Sequence, residues 1–182
     1  MTAKSRLTAR QLVIGGLLVA LNVVLTRFLA VMLPIAGVSG GLRLGFGPIA
    51  LYLAGIILGP LGGAVVGVVA DLVGTLLFTG GYFPGFTLSA ALTGLIPGLI
   101  AHRTDERGKL VWPGVGRIFV AIFVTNVVVS LGLNPIWLSI MYRRAWKLFT
   151  AARLIAQAVQ IPLFTAITAI VVRAYGRLQE RA

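Results

Sequence analysis

Apolar residues run along this chain in long stretches that are interrupted by Pro, Gly and basic residues and do not alternate with polar positions. Judged against the ~20 residues that cover a hydrocarbon core, the pattern predicts six helical spans, at roughly 10–33, 46–59, 62–78, 86–102, 112–139 and 150–175. The second span, in "GFGPIALYLAGIILGPLGG", is short and bracketed by Gly and Pro. Such an interrupted helix is tolerated where other protein or a cavity satisfies its freed backbone groups, so a site is expected between the short spans. No repeat, low-complexity tract or linker divides the chain. The expected fold is an all-α integral membrane protein, one compact bundle of six transmembrane helices forming a single domain over residues 1–182.

Composition strengthens that reading. The chain is 58% hydrophobic and 11% charged, with a mean hydropathy of +1.00, far from what a water-soluble core of 182 residues needs. Sixteen Lys and Arg against four acids give a net charge of +12. These charges flank apolar runs and do not interleave with aromatics, which argues against nucleic acid and for membrane topology. Lys4, Arg6 and Arg10, then Arg103, Arg107 and Lys109, then Arg173, Arg177 and Arg181 share one face, read as cytoplasmic together with both termini of a multi-pass plasma-membrane protein. The apolar stretch after "MTAKSRLTAR" is too long for a signal-peptide core and is read as a retained first helix. Arg27, Arg43, Arg143, Arg144, Lys147 and Arg153 fall toward the outer face, against the topological bias. Flanking signals can override a few outer charges; the alternative is an electropositive mouth that attracts an anionic solute.

Asp71 is the acid in "GVVADLVGTLLFTGGYFPGFTLSAALTG", residues 67–94, a run otherwise without charge. It lies ~13 Å along its span at 1.5 Å per residue. A carboxylate there costs on the order of 2.5–3.5 kcal/mol, so it is expected to face a ligand, a partner such as Arg27 or Arg153, or a proton path. Stacking and hydrogen-bonding groups accompany it: Tyr82, Phe83 and Phe86, then Asn126, Asn134 and Trp137, then Gln157 and Gln160. Together they suit a flat heteroaromatic solute. Small residues recur at four-residue spacing, among them Gly16 with Ala20, Gly63 with Gly67, and Ala90 with Gly94 and Gly98. Most are expected in internal packing, with the first pair open to another subunit. His102 stands alone and reads as a solvated loop residue, not a metal ligand. No nucleotide-binding, hydrolase or metalloprotease motif occurs, so neither an enzyme nor a cofactor or metal site is expected.

Four segments, "ALNVVLTRFLAV", "LRLGFGPIALYLAGIILGPLGGAVVGVVADLVGTLLFTGGYFPGFTLSAALTGLIPG", "NPIWLSIMY" and "ARLIAQAVQIPL", resemble the substrate-binding S components of energy-coupling factor (ECF) vitamin transporters, specifically the folate group. The resemblance implies a protein that captures folate from outside. It then delivers the vitamin by toppling in the membrane, in complex with a T subunit and two ATPase subunits. In that family the first helix docks on the T subunit through an A-x-x-x-A motif, which reads "GLLVA" here, Gly16 to Ala20. For a folate ligand, Asp71 is expected to accept the pterin's adjacent amino and ring N–H groups. Tyr82, Phe83 and Trp137 offer stacking faces, and Ser89 and Gln157 polar contacts. Arg43, Lys147 and Arg153 suit the glutamyl tail, and Arg27 reaches either the pterin or Asp71. The alternatives are an S component for riboflavin, thiamine or a queuosine precursor, or a structural membrane subunit with internal ion pairs.

Overall fold

The computed structural model describes residues 9–35, 38–78, 82–105, 110–143 and 146–180; for 30–35, 38–44, 146–152, 155 and 178–180 it describes the backbone alone. The order is α1 (Ala9–Arg27), β1 (Ala30–Ile35), β2 (Val38–Gly45), α2 (Gly47–Leu77), α3 (Pro84–Ala101), α4 (Val115–Thr125), a π-helical stretch (Asn126–Leu133), α5 (Asn134–Tyr142) and α6 (Trp146–Glu180). Among the described residues five continuous helices are long and apolar enough to cross a membrane, α4 to α5 counting as one. One of the five, α2, is two arms: Gly59 has φ 84° and ψ 176°, and Pro60 follows. At 1.5 Å per residue the 31-residue α2 would span ~46 Å if straight, well beyond a hydrocarbon core. The break turns it into a short arm and a full one, and the bundle has the six helical arms expected.

The short arm is covered on every side. From Ile49 to Ile56 every residue is buried, and Tyr52 and Ile56 join Ile118, Ile122, Phe164 and Val172 in the main core. A helix apolar all round sits inside protein, and this one explains how so short an arm survives in a membrane. Pro60 has no N–H, which leaves the Ile56 carbonyl four residues back without its helical partner. His102, from the end of α3, supplies one: Nδ1 lies 2.9 Å from Ile56 O and donates to it in the matching tautomer. The sequence reading of His102 as a solvated loop residue is thereby corrected. The ring is half-buried against the kink, where a methyl on Gly59 would lie 3.3 Å from Nε2.

Glycines line the seam between α2 and α3. A methyl on Gly63 would sit 2.6 Å from Gly55 Cα, one on Gly98 2.5 Å from Pro60 Cα, and one on Gly94 would run into the Gly63 carbonyl oxygen. Backbones this close need residues without Cβ. Between α1 and α2, β1 and β2 form an antiparallel hairpin, with Ala30 opposite Gly45 and Leu33 opposite Leu42. That hairpin replaces the last turns of the first expected span. At the other end Arg10 Nη2 lies 3.4 Å from the Tyr175 hydroxyl, and Tyr175 packs edge-on to Trp112 at 5.6 Å. The start of α1 and the end of α6 therefore lie at the same end of the bundle. Arg117 Nε donates to the Ile100 carbonyl in the last turn of α3.

Candidate functional site

A cavity of about 570 Å³ opens among the helices and takes lining residues from α1 through α6. Asp71 reaches it because the seam holds α2 against α3. A methyl on Gly67 would strike the Ala90 carbonyl, so one turn further along α2 Asp71 faces Thr87. Thr87 Oγ1 donates to Asp71 Oδ2 at 2.7 Å, and Thr75 Oγ1 donates to the Asp71 backbone carbonyl at 2.8 Å. Six residues remain before α2 ends at Leu77, placing the acid ~9 Å from the C-terminal end of that helix.

Arg27 also lines the cavity, but its partners are different. Nη2 donates to the Gly74 carbonyl at 2.7 Å, and the guanidinium carbon lies 4.8 Å from the Phe78 ring centre. Gly74 is in the last turn of α2, where carbonyls have no helical partner and a cation is favoured. Among the described residues Asp71 makes no ion pair, and the Asp71–Arg27 lock considered from the sequence is not formed.

An aromatic wall flanks the acid. Phe83 lies 5.8 Å from Phe86 and 5.9 Å from Trp137, ring centre to ring centre. Trp137 Nε1 donates to Ser89 Oγ at 3.1 Å. Gly85 lets the indole close in, since a methyl there would lie 2.6 Å from Trp137 Cδ2. Phe83, Phe86 and Ser89 line the cavity, while Trp137 stands behind Ser89. Tyr82 is 54% exposed and does not line it.

Asn134, Arg153, Gln157 and Gln160 also line the cavity. Gln157 Nε2 donates to Gln160 Oε1 at 3.2 Å. Asn134 Oδ1, Arg153 Nε and Gln157 Oε1 are buried with no hydrogen-bond partner among the described residues. Native interiors rarely leave such atoms unpaired, and all three belong to residues that line this cavity. The side chains of Arg43 and Lys147 lie outside the described residues; the Arg43 backbone pairs with Met32 in the hairpin. On α1, Gly16 and Ala20 are both exposed, and a methyl on Gly16 would meet nothing within 4 Å.

Tyr52 and Asn22 are among the cavity groups that escaped the sequence reading. Tyr52, 1% exposed, accepts a hydrogen bond from Asn126 Nδ2 at 3.0 Å, and Ser130 Oγ donates to Asn126 Oδ1 at 3.3 Å. Asn22 Nδ2 donates to the Gly47 carbonyl at 2.8 Å, tying α1 to the start of α2. The signal for Tyr52 was present: a single hydroxyl in an otherwise apolar short arm must find a partner. Among the described residues no group of three His, Asp or Glu side chains could hold a metal ion.

The family model for the S component of ECF-type riboflavin transporters matches residues 6–177. The folate transporter FolT of Clostridium novyi (strain NT) is 35% identical over 147 residues, covering 80% of this chain and 78% of that protein. The folate transporter FolT of Leuconostoc mesenteroides subsp. mesenteroides is 31% identical over 164 residues, 87% of this chain and 82% of that one. A crystal structure of FolT bound with folic acid superposes with a TM-score of 0.76 at 31% identity, covering 92% of this chain and 97% of the other. The S component of a bacterial ECF transporter shares the fold, with a TM-score of 0.55 at 24% identity over 94% of each chain.

Proposed function

The chain belongs to the S components of ECF transporters, in the folate group, and from that premise we propose that its cavity binds folate from outside the cell. The observation that carries the reading is Asp71: a carboxylate with no ion pair among the described residues, oriented by Thr87, at a cavity flanked by Phe83 and Phe86. A pterin presents an amino group and a ring N–H side by side, and one carboxylate accepts both. The ring lies along Phe83 and Phe86. Arg153 and Gln157, which line the same cavity, take the rest of the ligand, with Arg43 and Lys147 as further cations for the glutamyl carboxylates.

A riboflavin site is the second reading, suggested by the description of the matching family model. Its chemistry fits Asp71 less well. The polar edge of a flavin places a carbonyl on each side of its ring N–H, so a carboxylate would face an acceptor. Thiamine, a cation, is disfavoured by the outer basic residues. Titration calorimetry of the purified chain with folic acid, riboflavin and thiamine tests the reading. Folic acid is expected to bind and the other two not; binding of riboflavin without folic acid overturns it.

Delivery across the membrane requires partners. In this reading the T subunit docks on the exposed Gly16 and Ala20 face of α1, two ATPase subunits supply the energy, and the S component topples to release folate inside. Both termini are cytoplasmic, a placement supported by the Arg10–Tyr175 contact that puts the two ends of the chain together.

A further inference from the structure

Two hydroxyls of α3 are held in opposite senses. A carboxylate only accepts, so Thr87 is the donor in its 2.7 Å bond to Asp71. An indole N–H only donates, so Ser89 Oγ is the acceptor in its 3.1 Å bond from Trp137. Ser89 consequently keeps its own proton to give. Its side chain is 4% exposed, lines the cavity and donates to no other group among the described residues. The indole is not free to release it, being packed between Phe83 and the Gly85 backbone. Asp71 and Ser89 thus offer the same cavity an acceptor and a donor.

We propose that Ser89, its oxygen already accepting from Trp137, is a specificity-determining donor that favours a ring carbonyl beside the N–H accepted by Asp71. The proposal rests on the folate reading above and refines it. The pterin of folate carries its 2-amino group, ring N–H and 4-oxo group in a row: two donors for Asp71, then an acceptor for Ser89. A 4-amino-4-deoxy analogue places a donor where Ser89 donates and leaves the neighbouring ring nitrogen without the hydrogen that Asp71 accepts. Ser89 must then turn its proton away and accept on its remaining lone pair, or one of the two facing donors is buried unpaired, a cost that discriminates more sharply than a missing contact. The site is therefore selective for 4-oxo pterins over 4-amino antifolates.

The test is titration calorimetry of the full chain with folic acid and with 4-amino-4-deoxyfolic acid, in wild type, Ser89→Ala and Trp137→Phe. Wild type should prefer folic acid by about tenfold or more. Ser89→Ala should weaken folic acid about tenfold while leaving the analogue nearly unchanged, so that the preference narrows about tenfold to the part that Asp71 supplies. Trp137→Phe keeps a ring against Phe83 but frees the Ser89 oxygen to accept from the 4-amino group, so the preference shrinks through a gain on the analogue. A merely structural role would lower both ligands together. If both variants retain the wild-type preference within about twofold, the proposal is overturned, since that margin is well below one hydrogen bond. Binding of neither compound by wild type overturns the folate reading itself.

Discussion

The seam between α2 and α3 and the outward face of α1 carry small residues at the same four-residue spacing and meet opposite surroundings. Gly55, Gly63, Gly67, Gly94 and Gly98 press on backbone, so that each missing Cβ is a space already filled. Gly16 and Ala20 press on nothing. Spacing alone establishes that a helix can be approached closely. Which helix has already been approached depends on where the rest of the chain goes. The first set fixes a frame, and the second leaves a surface for another molecule.

Substitution at the middle of the seam should have the largest effect. Gly94→Ala drives a methyl into the Gly63 carbonyl, and helices that cannot separate without emptying the core should lose ~3 kcal/mol or more. Thermal unfolding in detergent measures this; an unchanged midpoint would mean that the seam is looser than its geometry. Asp71→Ala separates frame from function. The fold should stay within ~1 kcal/mol of wild type while folic acid affinity falls a hundredfold or more, because charge-assisted hydrogen bonds are lost. Equal affinity in the two proteins would remove Asp71 from the site. At the kinked end of the seam His102→Ala strands the Ile56 carbonyl and should cost ~1–2 kcal/mol, and His102→Gln should recover part of it. Identical stability of all three proteins would show that the carbonyl is satisfied in another way. Gly16→Ala should have the smallest effect, a stabilisation of at most ~1 kcal/mol from helix propensity. Gly16→Leu should likewise spare folding and folate binding yet abolish copurification with the T subunit. Assembly that survives this side chain would place docking elsewhere.

Much of the frame was legible in the chain. "GPLGG" marks the break in α2 because Gly and Pro leave few other conformations, and Asp71 announces itself by the cost of burying a charge. The hairpin was not legible: "AVMLPI" is as apolar as the helix before it, and an apolar run has no period to separate strand from helix. Nor could hydropathy separate Tyr52, inside the core, from the lipid-facing Leu12 and Leu17, since lipid and core select the same residues. The role of His102 needed Pro60, forty-two positions earlier, to be beside it. Of the candidate site residues, Asp71, Phe83, Ser89, Arg153 and Gln157 line one cavity, Arg27 lines it while donating to the end of α2, and Tyr82 does not line it.

The π-helical stretch from Asn126 to Leu133 has a consequence for how the chain tolerates insertion and deletion. A π turn takes in more residues than an α turn, and everything beyond it is set at an angle that a regular helix would not reach. Deleting one residue there would relax the stretch toward α geometry without breaking the helix. Asn134, Trp137 and Leu138 would then keep nearly the direction they now have, because the wide turn gives up the residue that it takes in, whereas the same deletion in the regular α4 would swing them by ~100°. A one-codon deletion should therefore be tolerated in this stretch, while one a few residues earlier would leave a membrane helix that carries its binding groups on the wrong side.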